Sequence, residues 1–162
     1  MPSDIVVKCS HTLKDKNLTI AFAESVTAGK LISEFALIPN CGSVLKGSIA
    51  CYDRSVKETL MSVDPKIIDE FTAESAQVTE RLAVGLKKLV PADVIVAVTG
   101  LASDGGSETP EKPVGTMFIN GFIKDRPFSD VYKLDGNPPE IILQVVDKAA
   151  ELVLQKLDEF GI

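Results

Sequence analysis

The run Val94-Ile-Val-Ala-Val-Thr99 leads directly into the loop Gly100-Leu-Ala-Ser-Asp-Gly-Gly-Ser107, and a second apolar run begins at Val114. A strand that is apolar on both faces is typical of the interior of a parallel sheet. Ligands bind at the loops that follow such strands, and glycine lets the backbone approach a small molecule closely. This stretch therefore predicts a buried strand whose carboxyl end opens onto a ligand.

A second stretch of the same kind lies near the amino terminus. The apolar run Leu18-Thr-Ile-Ala-Phe-Ala23 is followed by Glu24-Ser-Val-Thr-Ala-Gly29, and the apolar residues from there to Ala36 repeat at helical spacing. Both transitions place hydroxyl groups and glycine where a predicted strand ends. The two loops are therefore expected to share one pocket.

The rest of the chain alternates between helical and extended patterns. Ser3 and Ser75 are predicted to cap helices, and Asn137-Pro-Pro139 is predicted to begin the last helix. Lys124-Asp-Arg-Pro127 is predicted to join two strands as a hairpin loop. No repeat or linker interrupts residues 1–162. We therefore expect a single α/β domain in which about five strands form a sheet between layers of helices.

Composition excludes several classes of function. Of the 162 residues, 45% are hydrophobic and 25% charged, which is ordinary for a soluble globular protein, and the net charge of -6 argues against a nucleic-acid partner. No apolar run approaches the ~20 residues needed to cross a bilayer. The three cysteines lack CxxC spacing, which predicts reduced thiols in a cytoplasmic protein. The one histidine, His11, argues against a histidine triad or a zinc site.

Three side chains are candidates for chemistry. Ser25 lies between a strand and a helix, where a serine can act as a nucleophile beside free amides or can merely cap the helix. With one histidine in the chain, the available base is a lysine whose pKa is lowered by burial or by a neighbouring cation. Lys57, which follows the second strand, is either that base or an exposed side chain. Tyr52 either relays a proton, positions a lysine or packs. The loop from Thr99 to Thr116 matches neither a Walker loop nor GxGxxG, so nucleotide hydrolysis and dinucleotide redox chemistry lose support.

Four blocks in order resemble the carboxy-terminal domain of the competence/damage-inducible CinA family, which includes the stand-alone nicotinamide-nucleotide amidases of the PncC type. The resemblance extends from about residue 4 to residue 157. Its blocks are Ala23-Glu-Ser-Val-Thr-Ala-Gly29, Gly47-Ser-Ile-Ala-Cys-Tyr52 with Lys57, Glu74-Ser75, and Thr99-Gly-Leu-Ala with Gly105-Gly106 and Lys112-Pro-Val-Gly-Thr116.

The resemblance implies a three-layer α/β/α sandwich with a mixed, mainly parallel five-stranded sheet. It also implies hydrolysis of nicotinamide mononucleotide to nicotinic acid mononucleotide and ammonia, without a metal or organic cofactor. Ser25 would be the nucleophile, with Lys57 and Tyr52 as its activating partners and helix-start amides stabilising the oxyanion. The residues implied to bind the small phosphorylated nucleotide substrate are Thr27, Ala28, Gly29, Thr99, Gly100, Gly105, Gly106 and Ser107.

Three positions differ from the family pattern. Ala28 and Ser48 stand where the family has glycine, and Asp104 adds negative charge where a phosphate would be placed. We expect all three in the pocket, with Ala28 strained if its φ is positive. Two alternatives therefore remain: a catalytically altered protein that binds a ligand, or an interaction module. The broad apolar stripe of the last helix, together with Met117-Phe-Ile119, predicts a homo-oligomer.

Overall fold

The computed structural model describes residues 1–162. Its helices and strands lie close to the positions that the apolar periodicity predicts. The helices are α1 (Asp4–Asp15), α2 (Lys30–Ala36), α3 (Arg54–Thr59), α4 (Pro65–Phe71), α5 (Ala76–Leu89) and α6 (Pro138–Phe160). The strands are β1 (Ile20–Glu24), β2 (Leu45–Ala50), β3 (Val94–Gly100), β4 (Thr116–Ile123) and β5 (Arg126–Lys133).

The five strands form one mixed sheet in the order β2-β1-β3-β4-β5. β1 pairs in parallel with both β2 and β3, whereas β4 runs antiparallel to β3 and β5 antiparallel to β4. Four strands therefore point the same way and β4 alone is reversed. The predicted α/β fold, a three-layer α/β/α sandwich with a mixed and mainly parallel sheet, is confirmed.

The central strands are buried on both faces because their side chains alternate between two hydrophobic cores. Phe22 of β1 and Val96 of β3 pack with α1, α2 and α6, whereas Ala23 and Ala97 face the smaller core beneath α4 and α5. Small residues on that second face leave room for α5. The alternation explains why both strands read as continuous apolar runs in the sequence.

The two helix caps that the sequence predicts, Ser3 and Ser75, are confirmed, and the structure adds a third at Asn137. The side chains of Ser3 and Ser75 accept hydrogen bonds from the amides of Val6 and Val78, three residues further along. Asn137 forms a reciprocal capping box with Glu140 at the start of α6. These caps fix where α1, α5 and α6 begin.

The β4–β5 hairpin differs from its prediction. Ile123 pairs with Arg126, so the turn contains only Lys124 and Asp125, and Arg126 and Pro127 already belong to β5. Lys124 makes the tight turn possible by adopting a φ of 56°. Pro127 is tolerated because β5 is an edge strand, where a missing amide need not break a ladder.

Most of the apolar residues on which the oligomer prediction rested lie inside the chain's own core, although Phe118 and Ile142 are half-buried. Met117 and Ile119 are buried, as are eight residues of α6. Assembly into an oligomer stays a prediction without that argument. The three cysteines are free thiols. None of the six helices combines the length and the apolarity that crossing a membrane requires.

The connections on either side of β1 cross opposite faces of the sheet, which separates the loops at its carboxyl edge. The connection from β1 to β2 runs through α2 on one face, whereas the connection from β2 to β3 runs through α3, α4 and α5 on the other. The loops after β1 and β3 therefore diverge at the carboxyl edge of the sheet, the kind of position where open α/β sheets bind ligands.

Candidate active site

Ser25 and Lys57 meet at this edge. Ser25 follows the last residue of β1, and its amide donates to the carbonyl oxygen of Val98 on the neighbouring strand. Lys57 extends from α3, and only 1% of its surface is exposed. Its Nζ lies 3.0 Å from Ser25 Oγ, which brings together the predicted nucleophile and its predicted base.

Two backbone carbonyls orient the Lys57 amine. Nζ donates to the oxygen of Cys51 at 2.6 Å and to that of Tyr52 at 2.8 Å. Burial lowers the pKa of Lys57 below its ordinary value of 10.5, because the charged form loses hydration. A neutral amine has two protons and one lone pair. The two carbonyls take the protons, so the lone pair is left to accept the proton of the Ser25 hydroxyl.

Tyr52 contributes its backbone rather than its phenol to this arrangement. The side chain is 70% exposed and forms no hydrogen bond with Ser25 or Lys57. It lines the cavity at the edge of the sheet. The structure thus differs from the expectation that the Tyr52 phenol relays a proton, and the reason is that α3 directs Lys57 toward the carbonyl side of residue 52.

A buried carboxylate, that of Glu24, holds the loop that presents Ser25. Glu24 is completely buried at the end of β1. Its carboxylate accepts five hydrogen bonds, at 2.8 to 3.0 Å, from the Thr27 and Ser48 hydroxyls and the amides of Gly29, Leu31 and Ile32. Glu24 therefore occupies three amides at the start of α2, and stabilisation of an oxyanion by the amides ahead of them stays a prediction.

Two other amides beside Ser25 remain available. The amides of Val26 and Thr27 donate to no group of the protein, whereas those of Ala28 and Lys30 donate to carbonyls of the same turn. The residue directly after a nucleophilic serine commonly supplies an oxyanion donor. Val26 and Thr27 are therefore the candidate donors.

Ser25 faces a cavity of about 360 Å³. Its walls are the loop after β3, Glu74 ahead of α5, and Pro138 and Ile142 at the start of α6. The predicted residues Gly100, Gly105 and Gly106 belong to this wall, as does Tyr52. Thr27, Ala28 and Gly29 line a separate, more open cavity of about 600 Å³ between α2 and α6.

Two of the predicted hydroxyls have structural partners and do not line the cavity. Thr99 is fully buried, and its Oγ1 lies 2.8 Å from that of Thr79 in α5. Ser107 donates to the Glu74 carboxylate and accepts from Lys112 Nζ at 2.8 Å. Both side chains fix neighbouring segments, so the expectation that they line the pocket is wrong.

Of the three positions that differ from the family pattern, only Asp104 lines the Ser25 cavity. Ser48 lies behind it, where its hydroxyl donates to Glu24 at 2.8 Å. Ala28 has a φ of 47°, so the condition for strain is met, and the strain falls on the turn that follows Ser25.

Gly100 is needed for packing as much as for access. A Cβ at this position would lie 2.2 Å from the Met117 sulfur and 2.6 Å from the Thr116 carbonyl oxygen. Any larger residue would push β4 away from the end of β3. The absence of a side chain at Gly100 therefore keeps the end of β3, which lines the cavity, close to β4.

The sequence does not predict the roles of two important carboxylates, Glu24 and Glu74. Glu24 has a signal in the sequence, because a lone acidic residue that ends an otherwise apolar strand must find donors once buried. Glu74 is part of a block that resembles the family, but nothing in its neighbouring residues places it opposite a serine 49 positions away. Only the packing of α5 against the sheet does so.

Comparison with known proteins identifies the family of this chain. The profile of the family described as CinA C-terminal domain matches residues 3–157. This chain belongs to that family. A CinA-like protein from Thermotoga neapolitana is 35% identical over 150 residues, which are 92% of this chain and 36% of the relative. Another, from Dictyoglomus turgidum, is 33% identical and covers 91% of this chain and 36% of its own length.

The chain thus spans about a third of the length of these curated CinA-like relatives. Solved CinA structures have the same fold. A competence-damaged protein (CinA) superfamily protein from Escherichia coli superposes with a TM-score of 0.89 at 25% identity, covering 95% of this chain and 89% of the other. A competence damage-inducible protein A from Klebsiella pneumoniae has a TM-score of 0.90 at 19% identity, covering 96% of each chain.

Proposed function

We propose that this CinA-family protein is a serine amidohydrolase that acts on the carboxamide of a pyridine nucleotide. The observation that carries the proposal is the buried Lys57 amine 3.0 Å from Ser25 Oγ, with both of its other hydrogen-bonding directions taken by carbonyls. Nicotinamide mononucleotide is the substrate that the family resemblance implies.

In the first half of the reaction, Lys57 Nζ takes the proton of Ser25 Oγ as the oxygen attacks the carboxamide carbon. The carbonyl oxygen becomes an oxyanion, for which the free amides of Val26 and Thr27 are the proposed donors. The protonated Lys57 then gives its proton to the amide nitrogen. The carbon–nitrogen bond breaks, ammonia leaves, and an acyl ester forms on Ser25.

In the second half, water enters the cavity and Lys57 takes one of its protons. The resulting hydroxide attacks the acyl carbon, and the proton returns to Ser25 Oγ as the ester bond breaks. Together the two halves convert one carboxamide and one water to one carboxylic acid and one ammonia. Apart from the water and the substrate, this balance uses only groups of the chain.

The test is ammonia release by the purified protein incubated with nicotinamide mononucleotide. We expect Ser25→Ala to lower kcat/KM by at least about 10³-fold, because the covalent route is lost. Ser33→Ala is the matched control, since Ser33 lies on α2 outside the cavity that Ser25 faces. Equal ammonia release by wild type and Ser25→Ala would rule out the proposed chemistry.

If wild type releases no ammonia, a ligand-binding role is favoured instead. That role predicts saturable thermal stabilisation by the nucleotide without turnover. The interaction-module alternative predicts that no small molecule changes the melting temperature. These outcomes separate the three functions that the sequence leaves open.

A further inference from the structure

Glu74 is the one carboxylate of the Ser25 cavity that the protein holds in place. Two carboxylates line this cavity, those of Glu74 and Asp104. Asp104 lies in the exposed part of the loop after β3, and its side chain forms no hydrogen bond. Glu74 is half-buried, and the Ser107 hydroxyl donates to one of its oxygens. A carboxylate held in this way has a fixed direction, so it can distinguish between groups of a bound molecule.

Lys112 fixes the main chain around Glu74. Its Nζ donates to Thr72 Oγ1 at 2.6 Å, to Ser107 Oγ at 2.8 Å and to the Glu74 carbonyl oxygen at 2.9 Å. Thr72 has a φ of 68° and a ψ of 162°, a conformation that residues other than glycine rarely adopt. Strain of this kind persists only where surrounding contacts enforce it, and it concentrates at functional sites. The segment between α4 and α5 is therefore held by several contacts that together place Glu74.

One oxygen of the Glu74 carboxylate has no partner in the protein. The Ser107 hydroxyl donates to Oε2, whereas Oε1 accepts from no group of the chain. An ionised carboxylate accepts hydrogen bonds and donates none. Because Glu74 lines the same cavity as Ser25, Oε1 is available to an N–H group of a molecule that binds there.

The charge of Glu74 also acts on the catalytic amine. Burial lowers the pKa of Lys57, and nearby negative charges, that of Glu74 among them, oppose this shift. In the proposed reaction Lys57 gives its proton to the nitrogen of the carboxamide. That nitrogen must therefore lie near Lys57, in the part of the cavity that the Glu74 charge reaches.

From these observations we propose that Glu74 is the residue that distinguishes the carboxamide substrate from the carboxylic acid product. Its free oxygen accepts a hydrogen bond from one N–H of the carboxamide and so holds the nitrogen beside Lys57. After hydrolysis an oxygen of the product carboxylate takes the place of that nitrogen. This oxygen has no proton to donate and carries like charge, so Glu74 repels it and favours product release. The inference rests on the proposed amide hydrolysis and names its specificity-determining residue, with Ser107 and Lys112 as positioning residues.

The binding test uses two ligands that differ only in the group that Glu74 would contact. Nicotinamide mononucleotide and nicotinic acid mononucleotide share the ring, the ribose and the phosphate, so these parts contribute equally to both affinities. Calorimetric titration of Ser25→Ala measures the two affinities without hydrolysis. We expect the amide to bind at least about tenfold more tightly than the acid, the effect of one close like charge in a partly solvated site.

Adding Glu74→Gln to the Ser25→Ala protein is expected to remove or reverse this preference. The glutamine oxygen can still accept the Ser107 hydroxyl, so its NH2 group is left to donate to the acid and to oppose the N–H groups of the amide. Glu80→Gln is the matched control, because it makes the same change on the exposed face of α5 outside the cavity and should leave the ratio of affinities unaltered. Ser107→Ala keeps the carboxylate but releases it, so the preference should shrink without reversing.

Turnover gives a second readout. In wild type, nicotinic acid mononucleotide should inhibit weakly, with an inhibition constant at least about tenfold above KM for the amide. In Glu74→Gln the two constants should approach each other, and kcat/KM should fall about tenfold because a charge-assisted hydrogen bond to the substrate is lost. A purely structural role of Glu74 would lower kcat/KM without changing the ratio of the two constants.

Three results would overturn the role of Glu74. They are equal affinities of the two mononucleotides for Ser25→Ala, an unchanged ratio of affinities after Glu74→Gln, and binding of neither compound. Failure of the proposed function gives a different result. If no Ser25-dependent ammonia is released but the preference for the amide depends on Glu74, only the reaction is rejected.

Discussion

The cavity has two walls that are built in opposite ways. The wall with Ser25 and Lys57 is buried, and two carbonyls take two hydrogen-bonding directions of the amine, which leaves one lone pair for the reaction. In the wall formed by residues 100–106, residues 103 to 106 are exposed, and the Glu108 carboxylate of the same chain accepts from the Gly105 amide. The comparison teaches that burial fixes the catalytic groups in one wall, whereas the other wall is an open loop held by contacts within itself.

The sharpest way to break this comparison is to remove the amine. Lys57→Met keeps the buried volume but deletes the base, so we expect kcat/KM for ammonia release to fall by about 10³-fold or more. Circular dichroism should show the fold retained. Lys46→Met, which changes an exposed lysine on β2, should retain full activity. A Lys57→Met enzyme within tenfold of wild type would show that the base lies elsewhere.

The second prediction concerns the carboxylate beneath the catalytic wall. In Glu24→Gln an amide nitrogen, which donates and does not accept, replaces one of the two oxygens, so at least two of the five donors lose their acceptor. We expect the free energy of unfolding to fall by about 3 kcal/mol, measured by urea denaturation. Glu151→Gln, on the exposed face of α6, should change stability by less than about 0.5 kcal/mol. If Glu24→Gln and wild type were equally stable, Glu24 would not be what holds the loop after β1.

The pH dependence of activity is the third prediction. Burial lowers the pKa of Lys57, and only the neutral amine accepts the Ser25 proton. The rate should therefore fall as the pH decreases through this pKa and reach a plateau above it. We expect log kcat/KM to rise with a slope of one and to level off below pH 10.5. A rate that is flat from pH 5 to 10 would argue against lysine as the base.

The smallest effect is expected at Ala28, where the turn after Ser25 is strained. Because Ala28 has a φ of 47°, Ala28→Gly should raise the free energy of unfolding by about 0.5 to 1 kcal/mol. Thermal denaturation measures this change. Ala76→Gly at the start of α5, where φ is helical, should have the opposite sign. A loss of stability in Ala28→Gly would mean that the turn does not strain residue 28.

How far the sequence predicts the structure differs between the two walls. Apolar runs on both faces predicted β1 and β3, and the scarcity of histidine pointed to a lysine as the base of Ser25. These signals are local in the chain or depend on composition. The predicted fold follows from the apolar runs. The pairing of Ser25 with Lys57 is what the family resemblance implies, and Tyr52 contributes a carbonyl where a phenol was expected.

The loop wall was harder to predict because its partners are distant in the chain. Thr99 forms a hydrogen bond with Thr79, and Ser107 forms one with Glu74. In the sequence these hydroxyls suggested ligand contacts, but in the structure they hold α5 and the residues directly ahead of it in place. Likewise, the sequence of residues 24 to 32 does not indicate that the Glu24 carboxylate accepts hydrogen bonds from amides five to eight residues further along. Hydroxyl and glycine residues indicate a turn, but they do not indicate which groups form hydrogen bonds with it.

The two carbonyls that hold Lys57 belong to the main chain of residues 51 and 52, and that has a practical consequence for engineering. The identity of the side chain at position 52 is uncoupled from the placement of the amine. A saturation library at this position would vary the mouth of the cavity while the proton acceptor stays where it is. Redesign toward bulkier amides therefore has a natural starting residue in Tyr52.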